Sequence, residues 1–226
     1  MSFSLFVGVG SSKSGAGKTT FIENFIKFIK KLYKEAFVVA IKCTKTSIYS
    51  SIITESSIIN TEGKDTDRMK KAGADLVYWI KARDEDLHEI AKKLKEEILR
   101  FTQNDKKTNF VLIEGNSLVR AMLPDVIIFF KDRDEKSVKP SGEAVLKKAD
   151  IVIDGNYSME EIMREIDIMT QKKLIEKLLI EKSNNGKITC SEARKIAEEL
   201  NVGYIEVGKM ANELNIKIRK CELGCF

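Results

Sequence analysis

Leu5-Phe6-Val7-Gly8-Val9-Gly10-Ser11-Ser12-Lys13-Ser14-Gly15-Ala16-Gly17-Lys18-Thr19-Thr20 decides the fold class of this 226-residue chain. Residues 5–10 are an apolar run of strand length. Residues 20–32 place Phe21, Phe25, Ile26, Ile29 and Leu32 on one helical face, and a glycine loop joins the two. Residues 12–19 match the phosphate-loop pattern Gly-x-x-x-x-Gly-Lys-Ser/Thr at Gly17, Lys18 and Thr19, with Ser12 where the first glycine would stand. A triphosphate needs backbone N–H donors that no side chain obstructs, a helix N-terminus beneath it, a lysine for its terminal phosphates and a hydroxyl for its magnesium ion. The nucleotide-binding set is therefore Ser14, Gly15, Ala16, Gly17, Lys18, Thr19 and Thr20. Within it Lys18 is the catalytic cation, and Thr19 supplies the hydroxyl on Mg²⁺.

Working outward, residues 37–41, 76–80, 110–113, 126–130 and 151–153 are further short apolar strands. Residues 63–74 form a short helix, and residues 86–101 form a helix with Leu87, Ile90, Leu94, Ile98 and Phe101 on one face. Alternation of this kind predicts an α/β fold, a mostly parallel doubly wound sheet covered on both faces. Residues 44–60, rich in Ser, Thr and Ile, suit either a small hairpin or a mobile loop. A long helix over residues 159–182 ends at Ser183-Asn184-Asn185-Gly186, a linker composition. The expected domains are a nucleotide-binding domain, residues 1–182, and a small, mainly helical module, residues 187–226. That module comprises helices over residues 191–200 and 205–214 with a turn between them, and a strand over residues 216–219.

The 39 basic residues are interleaved with 34 acidic ones, so the net charge of +5 describes a solvated surface more than a nucleic-acid footprint. The second helix of the helix-turn-helix pair carries Lys209 beside Glu206 and Glu213. Phosphate contacts dominate DNA affinity, so a DNA partner is disfavoured. No apolar run approaches bilayer-spanning length, and the first ten residues carry no basic leader; a cytoplasmic location without membrane contact is expected. His88, the single histidine, falls on the polar side of its helix.

Magnesium requires a carboxylate besides Thr19. Glu114, at the carboxyl end of a strand, is the natural candidate, the alternative being a strand-end acid with a surface role. Asp65 and Asp67 lie on a loop suited to face the γ-phosphate. Either can orient water or metal, or cap the following helix; Asp65 is the preferred third catalytic and metal residue.

Several stretches resemble the MobB family, GTP-binding proteins of molybdopterin-guanine dinucleotide biosynthesis. They are residues 14–20, Val39-Ala40-Ile41-Lys42-Cys43-Thr44, Gly63-Lys64-Asp65-Thr66-Asp67-Arg68 with Ala72-Gly73-Ala74, and Ile113-Glu114-Gly115. Cys43 and Lys45 replace family histidines, and Asn116-Ser117 replaces Phe-Lys. The resemblance implies a dimeric, weakly hydrolysing GTP-binding protein that assists nucleotide attachment to molybdopterin alongside other cofactor-assembly proteins. ATP is the alternative nucleotide, because Phe130-Lys131-Asp132-Arg133 is not the Asn-Lys-x-Asp guanine reader. Lys13 is placed like the signature lysine of the MinD and ParA ATPases, which reaches a partner subunit's nucleotide. That likeness implies a catalytic role in stabilising charge during phosphoryl transfer; the alternative is an exposed loop lysine.

Cys190, Cys221 and Cys225 concentrate three thiols in the C-terminal module. Zinc or an iron–sulfur cluster wants four soft ligands, and Cys43, a partner's thiol or a substrate would have to complete the set. Some MobB-like proteins carry a similar iron–sulfur type extension; the alternative is small buried cysteines that pack a mini-domain. Besides the assembly GTPase, two function classes stay open. One is a small-molecule kinase with residues 43–60 and Asn116-Ser117 around its acceptor, the other a nucleotide-gated regulator that binds a partner through its C-terminal module.

Overall fold

The computed structural model describes residues 4–102, 109–132 and 138–220. Its elements in chain order are β1 (Ser4–Ser11), α1 (Lys18–Leu32), β2 (Phe37–Lys45), β3 (Ser51–Ile53), α2 (Ser56–Ile59), α3 (Asp65–Lys71), β4 (Leu76–Ala82) and α4 (Leu87–Thr102). They continue with β5 (Asn109–Glu114), α5 (Asn116–Met122), β6 (Val126–Phe130), α6 (Pro140–Leu146), β7 (Ile151–Ile153), α7 (Met159–Lys182), β8 (Lys187–Thr189), α8 (Cys190–Leu200), α9 (Tyr204–Glu213) and β9 (Lys217–Arg219).

Seven of these strands form one sheet in the order β3-β4-β2-β5-β1-β6-β7. All neighbours run parallel except β3, which pairs antiparallel with β4. The segment that suits a hairpin or a loop thus forms an edge strand and the one-turn helix α2. β1 is central, and both of its faces are buried: Phe6 packs with α4, α5 and α6, whereas Leu5, Val7 and Val9 point the other way. On that second side lies α1, which buries Phe21, Ile22, Phe25, Ile26 and Ile29. The sheet is therefore doubly wound, as its alternating strands and helices predict.

Three aspartates anchor the amino ends of the parallel strands. The Asp75 carboxylate accepts from Val38 N–H of β2 (2.7 Å), Asp125 from Phe6 N–H of β1 (2.8 Å) and Asp150 from Ile127 N–H of β6 (2.8 Å). Each precedes a strand and caps the start of the neighbouring one, where the ladder leaves a donor unpaired. Register is thereby set at one end of the sheet, and the opposite, carboxyl end is left for function.

The chain divides into two compact units, Met1–Ile162 and Met163–Phe226, so the division falls inside α7. In the second unit Ile175 and Leu179 of α7 share a core with Ile188, Ile196, Ala197, Val207, Ala211 and Ile216. Strands β8 and β9 pair in parallel; β8 has no counterpart in the sequence reading. Helix α8 opens with a capping box in which Thr189 and Glu192 satisfy each other's backbone N–H. The turn before α9 depends on Asn201, which takes the left-handed conformation at φ 53°, and not on Gly203, whose φ is −67°.

Two glycines let helices approach β1 closely. A Cβ on Gly8 would lie 2.7 Å from Pro124 Cγ and 2.9 Å from Val119 Cγ1. The substitution Gly8→Ala is expected to cost about 1–3 kcal/mol, as overpacking does. A denaturant midpoint unchanged from that of the unsubstituted protein would contradict this account of the β1–α5 contact.

Candidate functional site

The loop between β1 and α1 adopts left-handed backbone at Gly15 (φ 78°) and Gly17 (φ 87°). A Cβ at either position would meet nothing within 4 Å, so handedness, and not crowding, calls for glycine there. Ser12 needs no such freedom: its φ is not positive. Its hydroxyl accepts from Asp132 N–H (3.1 Å) and its N–H donates to Phe130 O (3.0 Å), which explains why serine can replace the first glycine.

Asn116, the first residue of α5, clasps the end of β1. Its Oδ1 accepts from Ser11 N–H and its Nδ2 donates to Ser11 O, both at 2.9 Å. The Lys18 ammonium donates to Ser11 Oγ (2.7 Å), and that hydroxyl donates to Lys13 O (2.7 Å). Lys18 thus lies back over its own loop. Burial, reinforced by the neighbouring Lys42 and Lys139 charges, holds its pKa below the usual lysine value even though Glu114 and Asp65 oppose this.

Across the loop, Glu114 ends β5 with only 1% of its surface exposed. In the parallel register it faces Val9 of β1 and Lys42 of β2. Thr19 Oγ1 donates to one of its carboxylate oxygens (3.0 Å) and the Lys42 ammonium to the other. Lys42 also pairs with Asp65 Oδ2 (2.7 Å), at the start of α3. Burial alone would depress the Lys42 ammonium, but the Glu114 and Asp65 carboxylates hold it above its ordinary value. Burial alone would raise Asp65; the hydrogen bond from Lys42 and the Lys42 and Arg68 charges keep it below the usual range. Thr19, Glu114 and Asp65, set apart in the sequence, are therefore one cluster of hard oxygen donors, the donor type that magnesium takes. Their fit to a cation is visible directly, since an ammonium already bridges both carboxylates.

These residues line a cleft of about 630 Å³, together with Lys45, Arg68, Ser117, Lys139 and Ser141. Arg68 is held there by Glu23 (2.9 Å) and Thr20 (3.0 Å). Gly17 and Thr20 also border a second cavity of about 480 Å³, whose walls include Phe130, Lys131, Asp132, Asp154 and Tyr157. Lys13 forms an ion pair with Asp132 of its own chain.

Other expected residues lie elsewhere. Asp67 is buried, pairs with Lys71 at 2.9 Å and lines neither of these cavities. It does not cap α3, whose cap is Lys64. His88 is exposed. Among the described residues no group of three or more His, Cys, Asp and Glu is placed to hold a metal ion, so the zinc or iron–sulfur expectation gains no support there. Cys43 and Cys190 are free thiols, while Cys221, Cys225 and Arg133 lie outside the described residues. The sequence reading gave no role to Lys42, to Arg68 or to Asn116 as a clasp. Lys42 leaves a signal as a lysine that closes the apolar run of β2.

A family model described as molybdopterin guanine dinucleotide synthesis protein B matches residues 6–147. No curated protein matches the chain. Among solved structures, the chimerical protein CapA2B2 is similar at 12% identity and a TM-score of 0.39, over 68% of this chain and 77% of that one. The septum site-determining protein MinD from Pyrococcus horikoshii OT3, complexed with Mg-ADP, is similar at 18% identity and a TM-score of 0.32, over 94% and 96%.

Cys43 lines the cleft, and burial pushes its thiol up to about 11. The thiol is reactive only as thiolate, so at pH 7.5 Cys43 is expected to alkylate with iodoacetamide at least about tenfold more slowly than a free cysteine peptide. The rate should climb as the pH rises towards 11. Peptide mapping by mass spectrometry measures it, and alkylation at the peptide's own rate at pH 7.5 would contradict the half-buried, protonated thiol.

Proposed function

The chain belongs to the molybdopterin guanine dinucleotide synthesis protein B family, and from that membership and the geometry of the cleft we propose that it is a magnesium-dependent, slowly hydrolysing GTP-binding protein that assists assembly of the molybdenum cofactor. The observation that carries the reading is the coupling of the phosphate loop to a carboxylate pair. Thr19, the residue after Lys18, is hydrogen-bonded to the buried Glu114, with Asp65 held beside it through Lys42.

In this reading the N–H groups of residues 14–20 surround the phosphates, and Lys18 leaves Ser11 Oγ to meet the terminal ones. Thr19, Glu114 and Asp65 would hold the magnesium ion, which would supply positive charge against that of the phosphates. Arg68 and Lys42 add positive charge where negative charge grows during transfer. Lys13, 43% exposed at its side chain, can exchange Asp132 for a phosphate oxygen, in this subunit or in the second subunit of a dimer. The cavity beside Gly17 and Thr20 would take the base; its Asp132 and Asp154 carboxylates suit the N1–H and exocyclic amine donors of guanine, which adenine cannot present in that pattern. The half of the cleft lined by Lys45, Lys139 and Ser141 remains for an anionic pterin client. No helix among the described residues is long and apolar enough to cross a membrane.

Isothermal titration with GTP and with ATP, in the presence of Mg²⁺, tests the proposal. GTP is expected to bind at least about tenfold more tightly, and Lys18→Ala to lose at least about a hundredfold in affinity with an unaltered thermal melt. Normal affinity in Lys18→Ala would remove the site. Equal affinity for the two nucleotides would remove the guanine preference while leaving the phosphate site in place.

A further inference from the structure

We propose that Lys42 is a resident counter-cation that closes the divalent-metal site of the nucleotide-free protein, so that the metal ion enters together with the triphosphate. The inference rests on the reading of Thr19, Glu114 and Asp65 as metal ligands, and adds to it the order in which the ligands are released.

The Lys42 ammonium contacts both carboxylates of that set at once. The side chain is 20% exposed, while that of Glu114 is 2% exposed, so the pair is shut off from most of the water that would otherwise screen it. A divalent ion that approaches these two carboxylates meets a combined charge already half offset and a positive charge in its path. Entry requires the ammonium to leave the buried Glu114 carboxylate, a move that another anion within its reach would favour.

A triphosphate supplies that anion. Lys42 and Lys18 line the same cleft, and the ammonium ends a flexible four-carbon stem, so it can move to a phosphate oxygen while β2 keeps its register with β4 and β5. Phosphate arrival draws Lys42 from Glu114 and Asp65, and the vacated oxygens accept the metal ion that accompanies the phosphates. Lys42 is a positioning residue in this scheme: it acts on the metal through the carboxylates it holds.

Titration of the nucleotide-free protein with Mn²⁺, with free ion followed by electron paramagnetic resonance, tests the assignment. Lys42→Met is expected to bind one Mn²⁺ at least about tenfold more tightly than the unsubstituted protein, a gain expected from removing one opposed charge at hydrogen-bond range. Lys42→Arg should keep the weak affinity. Adding Glu114→Gln to Lys42→Met should abolish the gain. Equal Mn²⁺ affinity in the unsubstituted and Lys42→Met proteins overturns the proposal, as does a gain that survives Glu114→Gln, because the ion then sits elsewhere. If Lys42→Met fails to fold by circular dichroism, Lys42→Gln, which is neutral and can still bond a carboxylate, decides by the same criterion. The titration contains no nucleotide, so a failure of GTP or ATP to bind would count against the proposed function and leave this result standing.

Discussion

A carboxylate buried to the degree of Glu114 cannot persist without positive or hydrogen-bonding partners, because the cost of desolvating a lone charge far exceeds what a single domain has in reserve. Much of the site follows from that constraint. The parallel register brings Lys42 of β2 beside Glu114 of β5, and the same register brings β1 to the other side, so that Thr19 at the start of α1 can reach the second oxygen. The hydrogen-bond demand of one buried acid thus ties three adjacent strands and the first turn of a helix into a single electrostatic unit. Asp65 joins through the same ammonium, which makes the start of α3 part of the site, though it stands far from the phosphate loop in sequence.

Second to this is the clasp of Asn116. A phosphate loop has little packing of its own, and both of its glycines sit in backbone conformations that other residues resist. Asn116 fixes the point where the loop leaves β1, using its acceptor and its donors on one residue, Ser11. Asn116 also lines the cleft, so the clasp fixes the position of its amide there. Ser117, which lines the cleft beside it, keeps that part of the surface polar.

The sheet was legible in the sequence because its strands are continuous apolar runs divided by amphipathic helices, and burial on both faces leaves that pattern and no other. The phosphate loop was legible for a different reason: its residues are contiguous, so spacing alone carries the chemistry. Partnerships between distant residues were not. That Lys42 would bridge Glu114 and Asp65 depends on which strands adjoin, and strand order is decided by packing of the whole domain. Helices α5 and α6, at seven residues each, are too short for helical periodicity to stand out. The strand β8 is three residues long, Lys187–Thr189, and becomes a strand only by pairing with β9. Asp65 and Asp67 show the limit of a local reading: two residues apart on one short helix, one faces the cleft and the other is buried against Lys71.

The large sheet ends on both sides in strands of three residues, β3 and β7. At roughly 3.3 Å per residue, each offers an outer rim of only about 10 Å of open backbone. Rims that short make poor templates for another extended chain, so the seven-stranded sheet is guarded against the edge-to-edge stacking through which parallel sheets nucleate fibrils. Strand addition at either rim of this sheet is therefore disfavoured.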